Sequence, residues 1–136
     1  MKLEGWDGRL VDYLQEAARR EFRYGVLDCV IFACDGVELQ TGIDPMDEGR
    51  GLYDDLKSGV KLISEKRGSY EGIMDFHFAR HDNVMRAQRG DVVLRMVDGL
   101  KAYGLVGNGG RAYFKAQGLG LVHHFVKDCD MAWRIT

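Results

Sequence analysis

The chain has 136 residues, 46% of them hydrophobic, which suits one core and so a single domain over residues 1–136. Its 19 basic and 21 acidic residues are interspersed and leave a net charge of −2, so the basic footprint of a nucleic-acid binder is missing. No apolar run approaches the ~18 residues of a membrane span, and the start, MKLEGWDGR, lacks a signal peptide's apolar segment. Synthesis in a reducing cytoplasm is therefore expected. The three cysteines agree with this: Cys29 and Cys34 fall on different sides of one predicted helix, and Cys129 is remote. That spacing implies neither a disulfide framework nor a zinc site.

Trp6-Asp7-Gly8 reads as a helix start with Asp7 as a possible cap. Leu10, Val11, Leu14, Ala17, Ala18 and Phe22 then recur at helical spacing. Arg9, Asp12, Glu16, Arg19, Arg20 and Arg23 take the other face, and the basic end suits the negative end of the helix dipole.

After the turn at Tyr24-Gly25, residues 29–41 read as a buried central helix. Asp28 is a good N-cap, Cys29 is the first helical residue, and Val30, Ile31, Phe32, Ala33, Cys34, Val37 and Leu39 leave little polar surface. Asp35, Glu38 and Gln40 mark a narrow outer face. Gly42 suits a left-handed C-terminal residue and Pro45 blocks continuation. Gly36, inside the helix, costs roughly 1 kcal/mol relative to alanine, which close approach of another backbone would justify. Cys29 has two readings: a thiol made reactive by the helix N-terminus, or a small apolar residue that begins a core helix.

Leu52, Tyr53, Leu56, Val60 and Ile63 support one or two helical turns broken at Ser58-Gly59. Ser69 is a possible cap of a short helix running to Phe78, with Ile73, Met74 and Phe76 available for burial. His77 and His81 are spaced as metal ligands on a helix can be, but no carboxylate or third ligand accompanies them. Surface histidines are the simpler reading, and no metal or cofactor is expected.

From Gln88 the periodicity changes to that of strands. Asp98-Gly99 between VVLRMV and LKAYGLV is a strong two-residue hairpin signal. It predicts Val97 opposite Leu100, Arg95 opposite Ala102 and Leu94 opposite Tyr103. Asn108-Gly109-Gly110 makes the next turn, RAYFKA the next strand, Gly118-Leu119-Gly120 a break, and LVHHFV another strand. MAWRI could close the sheet. GNGG lacks the strand–turn–helix setting of a phosphate loop. The predicted fold class is α+β, with N-terminal helices packed on a C-terminal antiparallel sheet.

A helix that begins with Cys29, followed much later by Gly90-Asp91-Val92-Val93 and a hairpin, resembles NlpC/P60-type cysteine peptidases, a branch of the papain-like fold. More closely, the chain resembles a family of small phage and prophage proteins related to those peptidases and encoded among tail genes. The residues that carry this are Tyr24 to Cys29, Thr41 to Pro45, Gln88 to Leu94, Tyr103 to Gly107, Gly118 to Leu121 and Ala132 to Arg134.

The resemblance implies that Cys29 is the nucleophile position. It places the base at Ala102, just before Tyr103-Gly104-Leu105, and the orienting residue near Phe114 or Lys115. Alanine cannot take a proton. Arg95, opposite Ala102, would stabilise a thiolate without acting as a base. His123 and His124, on a later strand, are the remaining candidate bases.

Two functions follow as expectations from the resemblance. The first is a phage tail-associated structural or assembly protein of the tail tip region, without hydrolysis, made in the host cytoplasm and carried in the virion tail. Its partners would be other tail proteins, met through the hairpin edge and the termini, where Trp6 and Trp133 are candidate anchors. The second is a cysteine peptidase or amidase acting on cell-wall peptidoglycan during infection, with Cys29 as nucleophile and His123 or His124 as base.

Overall fold

In the computed structural model, which describes residues 1–136, Asp98 and Gly99 take positive φ angles of 53° and 78°. Two such angles in succession make the hairpin turn whose twist matches the strands on either side. The turn joins β1 (Val92–Val97) to β2 (Leu100–Val106), with Val97 opposite Leu100, Arg95 opposite Ala102 and Leu94 opposite Tyr103, in the predicted register. β3 (Arg111–Ala116), β4 (Gly120–Phe125) and β5 (Met131–Trp133) complete a five-stranded antiparallel sheet in the order β4-β3-β2-β1-β5.

The hairpin is therefore interior, not the sheet edge expected from its sequence; β4 and β5 form the edges. Its tip extends beyond both neighbouring strands and is tied back only by Met96 N–H on the Asp130 carboxylate and by the Lys101–Glu71 ion pair. β3 pairs with β2 only at Leu105 and Val106, and β5 pairs with β1 only at Val92 to Leu94. Met96, Val97 and Leu100 are exposed there.

Four α-helices precede the sheet: α1 (Trp6–Arg19), α2 (Cys29–Thr41), α3 (Leu56–Arg67) and the single turn α4 (Gly72–Asp75). The architecture is α+β. Val92, Leu94, Tyr103, Leu105 and Trp133 face the helices and join their residues in the main core. Val93, Val106, Ala112, Phe114 and Ala132 point to the opposite face, where Val126 and Cys129 cover them. The alternation follows from the two-residue period of a strand. No helix is long and apolar enough to cross a membrane.

α2 begins at Cys29 behind the Asp28 cap and ends at Gly42, whose φ is 79°, as its sequence predicts. Two of its details differ from expectation. Gln40 is fully buried, because its amide nitrogen donates to Gly36 O and to Gly90 O, each at 2.9 Å, and so ties the helix to the start of β1. Gly36 makes room for a side chain and not a backbone: a Cβ there would lie 2.3 Å from Leu105 Cδ1.

The other helices bring further corrections. α1 starts one residue before Asp7, behind a left-handed Gly5, and the Asp7 carboxylate accepts from Gly8 N–H instead of capping the helix. Buried Tyr13, absent from the predicted apolar face, donates to Phe32 O at 2.8 Å. α3 runs unbroken through Gly59, where the Tyr53 ring occupies the space a side chain would need. Ser69 Oγ accepts from Gly72 N–H, but α4 stops after one turn and Phe76 is exposed.

Trp133, offered above as an interface anchor, is wholly buried, and its indole N–H donates to Asp75 Oδ1 at 2.8 Å. Trp6 is half-buried beneath the Lys2 ammonium.

Candidate functional site

The site is built from the start of α2 outward. Asp28 is buried, and its carboxylate accepts from Ile31 N–H at 2.9 Å, from Gly25 N–H at 3.0 Å and from the Tyr53 hydroxyl. The first bond caps the helix. The second fixes the Tyr24-Gly25 turn, where φ at Gly25 is 81° and a Cβ would strike Tyr53 O. Burial and the neighbouring Asp28 carboxylate push the Tyr53 hydroxyl well above its ordinary pKa, so it remains a donor. These bonds fix the backbone that presents Cys29.

Cys29 is partly exposed and lines a cavity of about 20 Å³, walled mainly by Tyr24, Val30, Leu56, Val60 and Tyr70. That is room for about one water. The thiol lies 3.4 Å from the Tyr70 hydroxyl. The Tyr103 backbone amide also favours its thiolate form. Tyr103 pairs with Leu94 at a position that turns its amide away from β1, and β3 does not cover it. The Tyr70 and Tyr103 rings stack at 5.1 Å, and the Tyr103 hydroxyl donates to Tyr70 O at 2.7 Å.

Burial pushes the Cys29 thiol above its ordinary pKa. The Tyr70 hydroxyl and the amides of Tyr103 and Val30 oppose this, while the Asp28 carboxylate adds to it. Desolvation thus outweighs the helix terminus, and the neutral thiol is the favoured form.

The other residues singled out above lie elsewhere. Ala102 faces the second cluster, on the side of the sheet opposite Tyr103. Phe114 packs in that cluster as well. Lys115 is buried, and its ammonium donates to Ala17 O at 2.8 Å and to Arg20 O, so it caps the C-terminus of α1. Arg95 lies across from Ala102.

His123 and His124 sit on edge strand β4, two strands from β2 and so roughly 10 Å across the sheet from it. His123 is exposed beside Tyr113, whereas His124 packs edge-on to Phe114 on the opposite face. Burial and the positive Arg95 hold the His124 pKa below its ordinary value. His77 follows α4 and His81 lies beyond it, so the two do not share a helix. No group of three or more metal-ligating side chains is present.

His81 has a partner that the sequence reading missed. Its Nε2 lies 2.8 Å from Asp91 Oδ2. The same buried carboxylate accepts from Gln88 N–H and Ile135 N–H. The signal was present in Gly90-Asp91-Val92-Val93, where an aspartate opens an otherwise apolar strand. No comparable signal linked Tyr70 to Cys29, since the two are 41 residues apart.

Neither a curated protein nor a solved structure matches the chain. A family described as a domain of unknown function, DUF6950, matches residues 1–135. That match covers all but the last residue, and the chain therefore belongs to the DUF6950 family.

Proposed function

We propose that this protein is a phage tail-associated structural or assembly protein of the tail tip region, with a peptidase-like fold of the NlpC/P60 type and without hydrolase activity. The observation that carries this reading is the environment of Cys29. Its thiol is held by the Tyr70 hydroxyl and the Tyr103 amide, and burial keeps it protonated. Three of the four histidines are placed elsewhere, His81 against Asp91 and His123 and His124 on the far edge of the sheet, and the Cys29 side chain bonds the Tyr70 hydroxyl and not the fourth, His77. A thiol without a positioned base lacks an activation typically worth ~10²–10⁴-fold. The protein would act by contact with other tail proteins, first in the host cytoplasm and then in the virion tail.

Affinity purification from phage-producing cells tests this. Recovery of tail components is the expected result. A monomer that recovers none, together with infectious tails after deletion of the gene, would overturn it.

The alternative, a cysteine peptidase or amidase acting on peptidoglycan, draws on one observation: Cys29 is partly exposed at a helix N-terminus beside the unpaired side of β2. Muropeptide cleavage by the wild type that disappears in Cys29→Ala would establish this alternative in place of the first reading.

A further inference from the structure

A second cavity lies near the end of α2 opposite Cys29, where the chain's N-terminal segment meets the start of β1. Its volume is about 610 Å³, within the range of small-molecule sites. Lys2, His81, Arg86, Arg89 and Arg134 line it, drawn from separate stretches of the chain, and Asp91 is the one acidic side chain among its walls. Asp91 is turned to structural use by His81 and by the amides of Gln88 and Ile135. Arg86 pairs with Asp82 at 3.3 Å on the open surface, both largely exposed, whereas Lys2, Arg89 and Arg134 make no ion pair.

Two of these cations, Lys2 and Arg89, are held by side-chain contacts, while Arg134 is anchored at its backbone and presents an exposed side chain. The Lys2 ammonium sits 3.7 Å above the Trp6 ring and donates to Arg89 O at 3.5 Å. The next residue, Leu3, anchors the segment through its N–H on Gln40 O at 2.6 Å. The Arg89 guanidinium donates to Asp7 O at 3.2 Å, and Arg134 is fixed by its backbone N–H on Ala79 O at 2.9 Å. Gly90 keeps space for the ammonium: with φ at 91°, a Cβ there would lie 2.8 Å from Lys2 Nζ and 2.3 Å from Gln40 Oε1. Burial lowers the Lys2 pKa more than Asp91 raises it, so this ammonium is desolvated without full compensation. An anion arriving beside it would supply what is missing.

We infer that this cavity binds a small oxyanion with two or more charges, one bearing several phosphoryl or carboxylate groups. Guanidinium forks match both groups through paired hydrogen bonds, and convergent positive charge in a concave site concentrates its field. The volume suits a compact ligand. The net charge of −2 over the whole chain gives no extended basic track for a longer polyanion.

Calorimetric titration of the whole chain in low-salt buffer tests this, with pyrophosphate and citrate as separate probes. Saturable binding of at least one, with Kd below about 1 mM, is expected, and it should weaken as salt is added. Pyrophosphate alone would identify a phosphoryl ligand, citrate alone a polycarboxylate. Arg89→Ala and Arg134→Ala should each weaken binding roughly tenfold or more, while Arg111→Ala on β3 leaves it unchanged. Should Arg89→Ala fail to fold, Arg134→Glu, at an exposed side chain whose backbone bond is retained, carries the same test. Absence of saturable binding to either probe, or equal losses in the Arg111 variant, would overturn the inference.

Discussion

The Tyr53 hydroxyl donates to the carboxylate of Asp28, and this bond supports the turn that delivers Cys29 to the start of α2. Tyr53→Phe removes one donor from a buried carboxylate and should cost about 1–3 kcal/mol. Asp28→Ala removes the helix cap and leaves Gly25 N–H and the Tyr53 hydroxyl without their acceptor. Its cost should be larger, about 2–4 kcal/mol. Because both act through one network, the double variant should lose less than the sum of the two. Urea denaturation of the four proteins measures this, and strict additivity would mean the network is not shared.

Cys29 should react slowly with iodoacetamide at neutral pH, because burial favours its protonated form. The rate should rise through and above the ordinary thiol range. Tyr70→Phe removes the hydroxyl that favours the thiolate, so the folded pKa rises further and the rate at fixed pH falls. Mass spectrometry at timed intervals resolves Cys29 from Cys34, which is wholly buried and should not react in the folded protein. A Cys29 faster than free cysteine at neutral pH would contradict this electrostatic account.

Arg50 joins three carboxylates, of which Glu38, at 3.7 Å, is the most distant. It donates to Asp44 through Nε at 2.7 Å and Nη2 at 3.0 Å, and lies 2.6 Å from Asp35 Oδ1. Burial penalises the Asp44 charge, but Arg50 and the Met46 amide more than offset it, and its pKa lies below the ordinary carboxylate value. A carboxylate so lowered stabilises the fold above its unfolded pKa, about 4. That contribution is lost as pH falls through the folded value. Arg50→Gln should therefore cost roughly 1–2 kcal/mol at neutral pH, allowing for partial solvent screening, and clearly less in acid. A penalty that does not shrink from pH 7 to about pH 3 would exclude this linkage.

Gly36→Ala should destabilise by about 1–3 kcal/mol through overpacking against Leu105. Leu105→Ala in the same protein opens the space, so the glycine change should then be near neutral or stabilising, by up to the helix-propensity gain of about 1 kcal/mol. Unfolding free energies around this cycle give the coupling directly. Equal penalties with and without the Leu105 side chain would show that something else demands the glycine.

Legibility in the sequence follows the range of the interaction. The hairpin register was readable because Asp98-Gly99 leaves only one two-residue turn to make. The limits of α2 were readable because Asp28 and Gly42 act within a few residues of themselves. Gln40 was misread because a carboxamide looks solvent-facing until Gly90, 50 residues on, offers its carbonyl. Gly59 looked like a helix break because propensity is local, whereas the Tyr53 ring that requires a glycine there belongs to the preceding loop. At the candidate site, the position of Cys29 was legible and its chemistry was not, since Tyr70 and the burial around it come from the tertiary fold.

Lys115 has a consequence for how the chain is made. The carbonyls it caps, those of Ala17 and Arg20, lie 98 and 95 residues earlier. A ribosome thus releases α1 long before the lysine that finishes its end exists, and Gly120, which fits against Ala18 O, arrives later still. During synthesis the first helix waits, amphipathic and incompletely covered, until β3 and β4 emerge. Nascent chains cut before Lys115 should remain targets for chaperones and proteases, because the front of this protein is closed from its back.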